Sequence, residues 1–417
     1  GEADQVLSIT PKTQEQVEVV RNVSTQYETV LWQPVSHQYI TEETQVHLFV
    51  PANSSEMVQD LFSCLSSDIF RVLLANPSEL IEMQTKNYST DPRSSSTFYE
   101  RYHSLEDIYY WINRTTMDNT DKVKAILIGS SYEKRPLYVL KLSLNDRPNK
   151  KAAWIDCGIH AREWISPAFC LWFSLAFYRQ NQEITNILDD MDFYVLPVMN
   201  PDGYKYTWTT KRMWRKNRSL SRSRWGSTCI GVDLNRNFDA NWCTEGASPE
   251  PCSEIYCGAF PESEPESQAV ANFLRTHKDS VQLYISIHSY SQMLLFPYSC
   301  TMDEAENHSD LLEMTQKAAQ NIRRFYRTNY KYGAGAKTIY LAPGGSDDWA
   351  YKLGIKYSFT FELQDRGEYG FLLPPSKISK ACNEALIAVK TIALKVIEKT
   401  KASADSSHTA KNVMPVL

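Results

Sequence analysis

The stretch from Thr85 to Ser96 reads Thr-Lys-Asn-Tyr-Ser-Thr-Asp-Pro-Arg-Ser-Ser-Ser; it is polar, carries a proline and four serines, and holds no apolar period. Such a segment has nothing to bury, so it reads as an exposed connector that divides the chain into two folding units. Before it, strand-like runs at Gln5–Ile9, Tyr27–Trp32, Gln45–Val50 and Phe70–Leu74 are interleaved with helical patterns at Lys12–Asn22 and Ser54–Cys64. The order β-α-β-β-α-β closes as a small ferredoxin-like α+β sandwich, expected over residues 1–76. A further helical stretch leads into the connector, and residues 77–93 read as a connecting segment.

Beyond the connector, apolar runs at Ala152–Asp156, Phe193–Val198, Tyr284–His288 and Tyr357–Glu362 alternate with helical patterns near Trp164–Tyr178, Glu262–His277 and Ser379–Lys399. This alternation predicts one large α/β unit over residues 94–400, a mixed and mostly parallel sheet flanked by helices, with its working loops at the strand ends. The polar tail, residues 401–417, is expected to be disordered.

The formal net charge of −5 leaves no polybasic footprint, so nucleic acid is not an expected partner. No run of about 18 apolar residues is present, so no membrane span is expected. The start, Gly1-Glu2-Ala3-Asp4, lacks a signal-peptide layout; an exported chain would already have lost its signal. Export is supported by cysteines clustered as Cys157 and Cys170, then Cys229, Cys243, Cys252 and Cys257. Clustering of this kind suggests disulfides formed in an oxidising compartment, with three connectivities open for the second group. Cys64, Cys300 and Cys382 lie outside these groups, and nine cysteines leave at least one unpaired within the chain. Asn-x-Ser/Thr sequons at Asn22, Asn53, Asn87, Asn113, Asn217 and Asn307 add an expectation of glycosylation at one or more of them.

The strongest local signal for chemistry is His160-Ala161-Arg162-Glu163, directly after an apolar strand and Gly158. An imidazole and a carboxylate three positions apart can face one point, and together they suit a catalytic zinc. A third ligand must come from elsewhere, and His288, which ends another strand, is the natural donor. Three protein ligands leave one position open for chemistry. Asp233 is a plausible partner to orient a ligand histidine.

Four stretches then appear in order: Asp156-Cys157-Gly158-Ile159-His160-Ala161-Arg162-Glu163-Trp164-Ile165, Gly231-Val232-Asp233-Leu234-Asn235-Arg236-Asn237, Ser286-Ile287-His288-Ser289-Tyr290 and Phe359-Thr360-Phe361-Glu362-Leu363. In these the chain resembles the digestive and plasma zinc carboxypeptidases of the A/B type, over almost its whole length. Val30–Val35, Met213–Arg218 and the connector ending Pro92-Arg93 look most like the plasma B-type branch.

The resemblance implies one Zn2+ held by His160, Glu163 and His288, with Glu362 as general base and Arg215 stabilising the developing oxyanion. It implies that Asn235, Arg236 and Tyr340 grip the substrate's α-carboxylate, a guanidinium fork matching carboxylate geometry, and that Arg162 and Tyr290 meet upstream residues. Phe359 and Phe361 beside Glu362 suggest an apolar setting that raises its pKa. The resemblance also implies that Asp347 lies at the base of the side-chain pocket, which is acidic in B-type members, and that Gly335 keeps that pocket roomy. Substrates are therefore expected to be peptides and proteins ending in Lys or Arg.

The resemblance further implies that the small unit is a prodomain covering the cleft, released when a trypsin-like protease of the thrombin or plasmin type cuts between Arg93 and Ser94. A secreted plasma zymogen acting on the C-terminal lysines of fibrin is the implied role. A digestive B-type enzyme and a non-catalytic carboxypeptidase-like binding protein are the alternatives. One departure stands out: the family usually has Arg two residues after the general base, and this chain has Gln364.

Overall fold

We describe a computed structural model of the 417-residue chain, covering residues 3–86, 97–178, 182–222 and 225–411. In the N-terminal unit, β1 (Gln5–Ile9), α1 (Gln14–Ser24), β2 (Val30–Gln33), β3 (Val46–Val50), α2 (Ala52–Leu65) and β4 (Phe70–Leu74) form an antiparallel sheet in the order β2-β3-β1-β4. Thr13 opens α1 by accepting from Gln16 N at 3.2 Å, the usual N-cap bond. Val17, Val20 and Val23 of α1 then bury against Leu7, Ile9, Leu48 and Val50, together with Val58 and Phe62 of α2.

Because side chains alternate along a strand, the other face of this sheet carries Val6, His47 and Phe49, with Trp32 beside them. Val6 and Trp32 pack on Met213, Tyr290, Phe371 and Leu372 of the larger unit. One face thus makes the small core and the opposite face makes the docking surface. Helix α3 (Pro77–Thr85), started by a proline at its first turn, follows and leads to the connector.

The larger unit contains, in order, α4 (Leu105–Asp118), β5 (Val123–Ser130), β6 (Pro136–Leu142), β7 (Lys151–Cys157), α5 (Ile165–Tyr178), α6 (Gln182–Asp190), β8 (Met191–Leu196), α7 (Pro201–Thr209), β9 (Leu220–Arg222) and β10 (Thr228–Ile230). It continues with α8 (Pro265–His277), β11 (Val281–Ser289), β12 (Met293–Phe296), α9 (His308–Tyr326), β13 (Lys331–Ala334), α10 (Gly335–Thr338), α11 (Ser346–Leu353), β14 (Tyr357–Leu363) and α12 (Ile378–Lys411). Eight strands make one mixed sheet, β13-β12-β14-β11-β7-β8-β6-β5, whose centre β14-β11-β7-β8 is parallel. The central strands are covered on both faces, which is why they read as near-continuous apolar runs. The edge strand β5 does not read that way: Leu127 is 60% exposed, so the edge carries no buried run to detect.

Three disulfides answer the open pairing: Cys157–Cys170, Cys229–Cys252 and Cys243–Cys257. Cys64 is exposed and unpaired, while Cys300 and Cys382 are buried thiols. Asn217 cannot present a glycan in the folded chain, since it is fully buried, donating to Glu264 Oε1 at 2.8 Å and accepting from Val232 N at 2.8 Å.

The expected disorder of 401–417 needs correction for residues 401–411, which continue α12 as an exposed helix to Lys411. With Ile392, Ala393 and Val396 anchoring the earlier turns and no Gly or Pro from 378 to 411, each further residue extends an existing helix without a new nucleus. Residues 412–417 lie outside those described, as do Arg93 and Ser94 of the expected cleavage site.

Candidate active site

Parallel pairing of β7 with β11 sets Asp156 opposite Ser286 and Cys157 opposite Ile287, so both strands deliver their C-terminal ends to one edge of the sheet. Just past β7, Gly158 turns the chain at φ +71°, where a Cβ would crowd Val198 and Pro167. The loop returns His160 and Glu163 to the end of β11, where His288 waits. His160 Nδ1 lies 2.7 Å from Glu163 Oε2, His288 Nδ1 lies 3.0 Å from Glu163 Oε1, and the two Nδ1 atoms are 3.2 Å apart.

The three side chains are buried, and their donor atoms fall within 4.8 Å of one another. Two imidazole nitrogens and one carboxylate converging on a point, each held from behind, fit Zn2+ with a position to spare. Burial alone would raise the Glu163 carboxyl, but His160 and His288 beside it hold it far below the carboxylate range.

Asp233 is the hub behind this cluster. Its Oδ1 meets His160 Nε2 at 3.0 Å and its Oδ2 accepts from Arg215 at 2.8 and 3.2 Å, with Arg236 at 3.8 Å. Burial opposes its charge, yet Arg215 and His160 keep the acid well below its usual range. Arg236 is further fixed by Gly246 O at 3.0 Å and Asn235 O at 3.1 Å, and the Asn235 side-chain oxygen accepts from Ser346 N at 3.1 Å. Arg215, Asn235 and Arg236 line a cavity of about 460 Å³ together with the metal cluster, Tyr340, Gly335, Asp347 and Glu362.

Glu362 on β14 pairs in register with His288 on β11. The expected cause of its perturbation needs amending: Phe359 and Phe361 are buried in the core, on the strand face opposite Glu362, which lines the cavity with Thr360. What acts is enclosure of the cleft itself. Burial, against the charges of His288 and Arg215 and with Glu163 adding to the rise, pushes the acid up to about 8. A divalent cation beside it would draw that value lower.

Asp347, at the start of α11, is 4% exposed. Its Oδ2 accepts from Thr360 Oγ1 at 2.9 Å and its Oδ1 from Asp348 N at 2.8 Å. Burial raises its pKa. A Cβ on Gly335 would overlap the Ser299 hydroxyl, so glycine there preserves the space between them.

Arg162 differs from expectation. It is buried behind the cavity wall, with its guanidinium 4.4 Å from the Phe371 ring centroid and Nη1 3.4 Å from Met213 O. It backs the surface formed by Phe371 and does not line the cavity.

The N-terminal unit roofs the cavity with Trp32, Gln33, Pro34, Val35, Tyr39 and neighbouring residues. Tyr39 stacks on Tyr340 with ring centroids 4.4 Å apart and donates to Gly246 O at 2.8 Å. His47 Nδ1 lies 2.7 Å from Tyr290 OH. Burial, with Arg71 adding to it, lowers the His47 pKa to about 4 and so keeps the ring neutral. From α3, Gln84 accepts from Arg212 at 3.1 Å and donates to Leu373 O at 3.1 Å. Tyr39, His47 and Gln84 gave no signal in the sequence, because each acquires its partner more than 120 residues away.

Gln364 takes a neutral place in a buried cluster, donating to Glu384 Oε1 at 2.9 Å beside Thr328 and Tyr330. Asp365 is satisfied without it, accepting from the backbone N–H groups of Gly367, Tyr369 and Gly370.

Comparison with known proteins gives two family matches: residues 108–388 match a family described as zinc carboxypeptidase, and residues 7–84 one described as carboxypeptidase activation peptide. Carboxypeptidase B2 of Bos taurus is 53% identical over 401 residues, covering 94% of this chain and 93% of that one. Carboxypeptidase B2 of Homo sapiens is 51% identical over 401 residues, covering 95% and 94%. The crystal structure of thrombin activatable fibrinolysis inhibitor superposes with a TM-score of 0.91 at 52% identity, covering 95% of this chain and 100% of that one.

Proposed function

The chain belongs to the zinc carboxypeptidase family, as a zymogen carrying its activation peptide, and on that premise we propose that it removes single Lys or Arg residues from the C-terminal ends of peptides and proteins once cleaved between Arg93 and Ser94. The observation that carries this reading is one cavity lined by a metal-binding cluster, by Arg236 and by the buried carboxylate of Asp347, which forms no ion pair with Lys or Arg among the described residues.

His160, Glu163 and His288 hold the zinc. When bound, zinc supplies Lewis acidity that polarises the scissile carbonyl and acidifies water. Glu362 accepts the proton of the attacking water and returns it to the departing amine as the peptide C–N bond breaks, leaving a carboxylate and a free amino acid. Arg215, braced by Asp233, faces the oxygen that gains charge.

Asn235, Arg236 and Tyr340 engage the terminal carboxylate, which limits attack to the last peptide bond. Asp347 receives the ammonium or guanidinium group, with Gly335 leaving room for it. Tyr290 meets upstream substrate residues, and Arg162 supports that surface from behind Phe371.

In the zymogen Tyr39 covers Tyr340 and His47 engages Tyr290, which blocks peptide entry. The similarity to carboxypeptidase B2 and to a protein named thrombin activatable fibrinolysis inhibitor supports a secreted plasma enzyme. Its activator is then a trypsin-like protease of the thrombin or plasmin type, and its substrate the C-terminal lysines of fibrin.

The deciding experiment treats the protein with trypsin and measures hydrolysis of matched peptides ending in Arg, Lys, Phe or Leu, with and without a chelator. Fast release of Arg and Lys that chelation abolishes and zinc restores is expected. Chelator-resistant turnover, or equal rates on Phe and Arg, would overturn the reading.

A further inference from the structure

The two imidazoles of the metal cluster are held by different devices. His160 Nε2 meets the Asp233 carboxylate directly at 3.0 Å, whereas His288 Nε2 meets a hydroxyl, Ser286 Oγ, at 2.9 Å. Ser286 Oγ lies 2.6 Å from Asp156 Oδ1. Asp156 Oδ2 accepts from Trp154 Nε1 at 2.9 Å and from Tyr284 OH at 2.6 Å. All these side chains are buried.

Two adjacent strands build this arrangement with their alternation alone. Trp154 and Asp156 are two apart on β7, Tyr284, Ser286 and His288 are two apart on β11, and the parallel register sets Trp154 opposite Tyr284 and Asp156 opposite Ser286.

With Asp156 ionised and His288 neutral, as a zinc ligand must be, counting protons fixes the direction of every bond. An indole N–H can only donate, and a carboxylate can only accept. Asp156 therefore takes the protons of Trp154, Tyr284 and Ser286. Ser286 has a single hydroxyl proton, and with that proton directed at Asp156 its oxygen must accept from His288 Nε2–H. A neutral imidazole carries one N–H. Nδ1 of His288 is then left with its lone pair, facing Glu163 Oε1 and His160 Nδ1 at 3.0 and 3.2 Å.

We propose that Asp156 and Ser286 form a relay that locks His288 in the tautomer able to bind zinc, making Asp156 a positioning residue for the metal although it touches no ligand. The proposal rests on the reading of His160, Glu163 and His288 as the zinc ligands.

The relay has a signature that simple packing lacks. In Asp156→Asn, the amide oxygen must stay where the indole N–H and the tyrosine hydroxyl donate, so the amide N–H2 turns to Ser286. Ser286 then accepts from the amide and gives its own proton to His288 Nε2, which drives the imidazole proton onto Nδ1 and removes the lone pair. An isosteric change beyond the hydroxyl thus harms binding more than deleting the hydroxyl. Orienting groups of this kind are typically worth about 10- to 100-fold in metal affinity.

The test uses the full-length, uncleaved chain stripped of metal, with the Zn2+ dissociation constant read by competition against a chromophoric chelator. Near-ultraviolet circular dichroism and metal-free thermal unfolding establish that each variant is folded. Asp156→Asn is expected to weaken zinc binding about 100-fold and Ser286→Ala about 10-fold. The double variant should match Ser286→Ala, since without the hydroxyl the amide has nothing to reverse.

Wild-type affinity in Asp156→Asn, while His288→Ala loses zinc, would overturn the relay and leave the ligand assignment standing. Additive losses in the double variant would overturn it as well. Wild-type affinity in His288→Ala would overturn the ligand assignment and the relay with it. Should Asp156→Asn fail to fold, Ser286→Thr, which retains a hydroxyl, must bind zinc about as tightly as wild type where Ser286→Ala binds it about 10-fold more weakly; equal affinities of the two would overturn the relay.

Discussion

Replacing Asp347 tests the specificity argument at its narrowest point. Asp347 is 4% exposed and its carboxylate already accepts two hydrogen bonds, from Thr360 Oγ1 and Asp348 N, so part of its charge is met by the protein. An arginine side chain entering the pocket supplies the missing cation. A phenylalanine side chain removes the remaining water and supplies nothing.

Leaving a buried charge unpaired costs roughly 2 to 5 kcal/mol. At about 1.4 kcal/mol per tenfold, this corresponds to a preference for Arg over Phe of about 30-fold to several thousandfold in kcat/KM. The two bonds already made place the expectation toward the lower half of that span. The preference should also depend on pH. Burial raises the Asp347 pKa, and a protonated acid accepts Phe more readily than a charged one, so the Arg-to-Phe ratio should grow as pH rises and level off once the acid is fully ionised.

The assay is kcat/KM of the processed enzyme on matched peptides ending in Arg and Phe between pH 6 and 9, repeated for Asp347→Ile. The variant should lose the preference and its pH dependence while keeping its zinc. If Asp347→Ile still favours Arg as strongly as wild type, the carboxylate does not meet the substrate and the reasoning fails.

Glu362→Gln keeps shape and loses the proton acceptor, so kcat should fall at least about 10² with little change in KM; retained turnover would point to another base. An uncleavable Arg93→Gln chain should stay latent, and equal activity of that chain and the processed enzyme would dismiss the roof as an inhibitor. Adding Tyr39→Ala and His47→Ala removes contacts worth about 1 kcal/mol each, which should raise its turnover of a small substrate about tenfold or more. Burial raises the Glu384 acid above its unfolded value, so stability present below pH 4.5 is lost as pH climbs through the folded value. Gln364→Arg would give Glu384 a cation and remove that loss. Its gain in Tm should therefore be larger at pH 8 than at pH 5, and an equal gain at both would show that Glu384 is not the group involved.

The elements most legible in the sequence were those whose signal is local. The central strands β7, β8, β11 and β14 are buried on both faces and read as apolar runs, and the N-terminal helices show a valine or aromatic stripe. Edge strand β5 carried no such run, whereas α9 does carry a helical stripe at Leu311, Met314, Thr315, Ala318, Ala319 and Ile322, although no helix was expected there. The end of α12 was misread because a polar composition argues against a core but not against continuing a helix already begun.

His160, Glu163, His288, Asp233 and Glu362 could be singled out because strand ends and motif order mark where side chains emerge. The sequence by itself therefore marked the kind of site: which residues emerge beside strand ends and turns, and which chemistry their types suggest. Only the tertiary structure decided how they are held and covered: the parallel register that aligns Asp156 with Ser286, the cysteine pairing, the place of Arg162 behind Phe371, and the roof made by Tyr39 and His47. Those features depend on contacts between residues far apart in the chain, where local pattern carries no information and packing alone selects the partner.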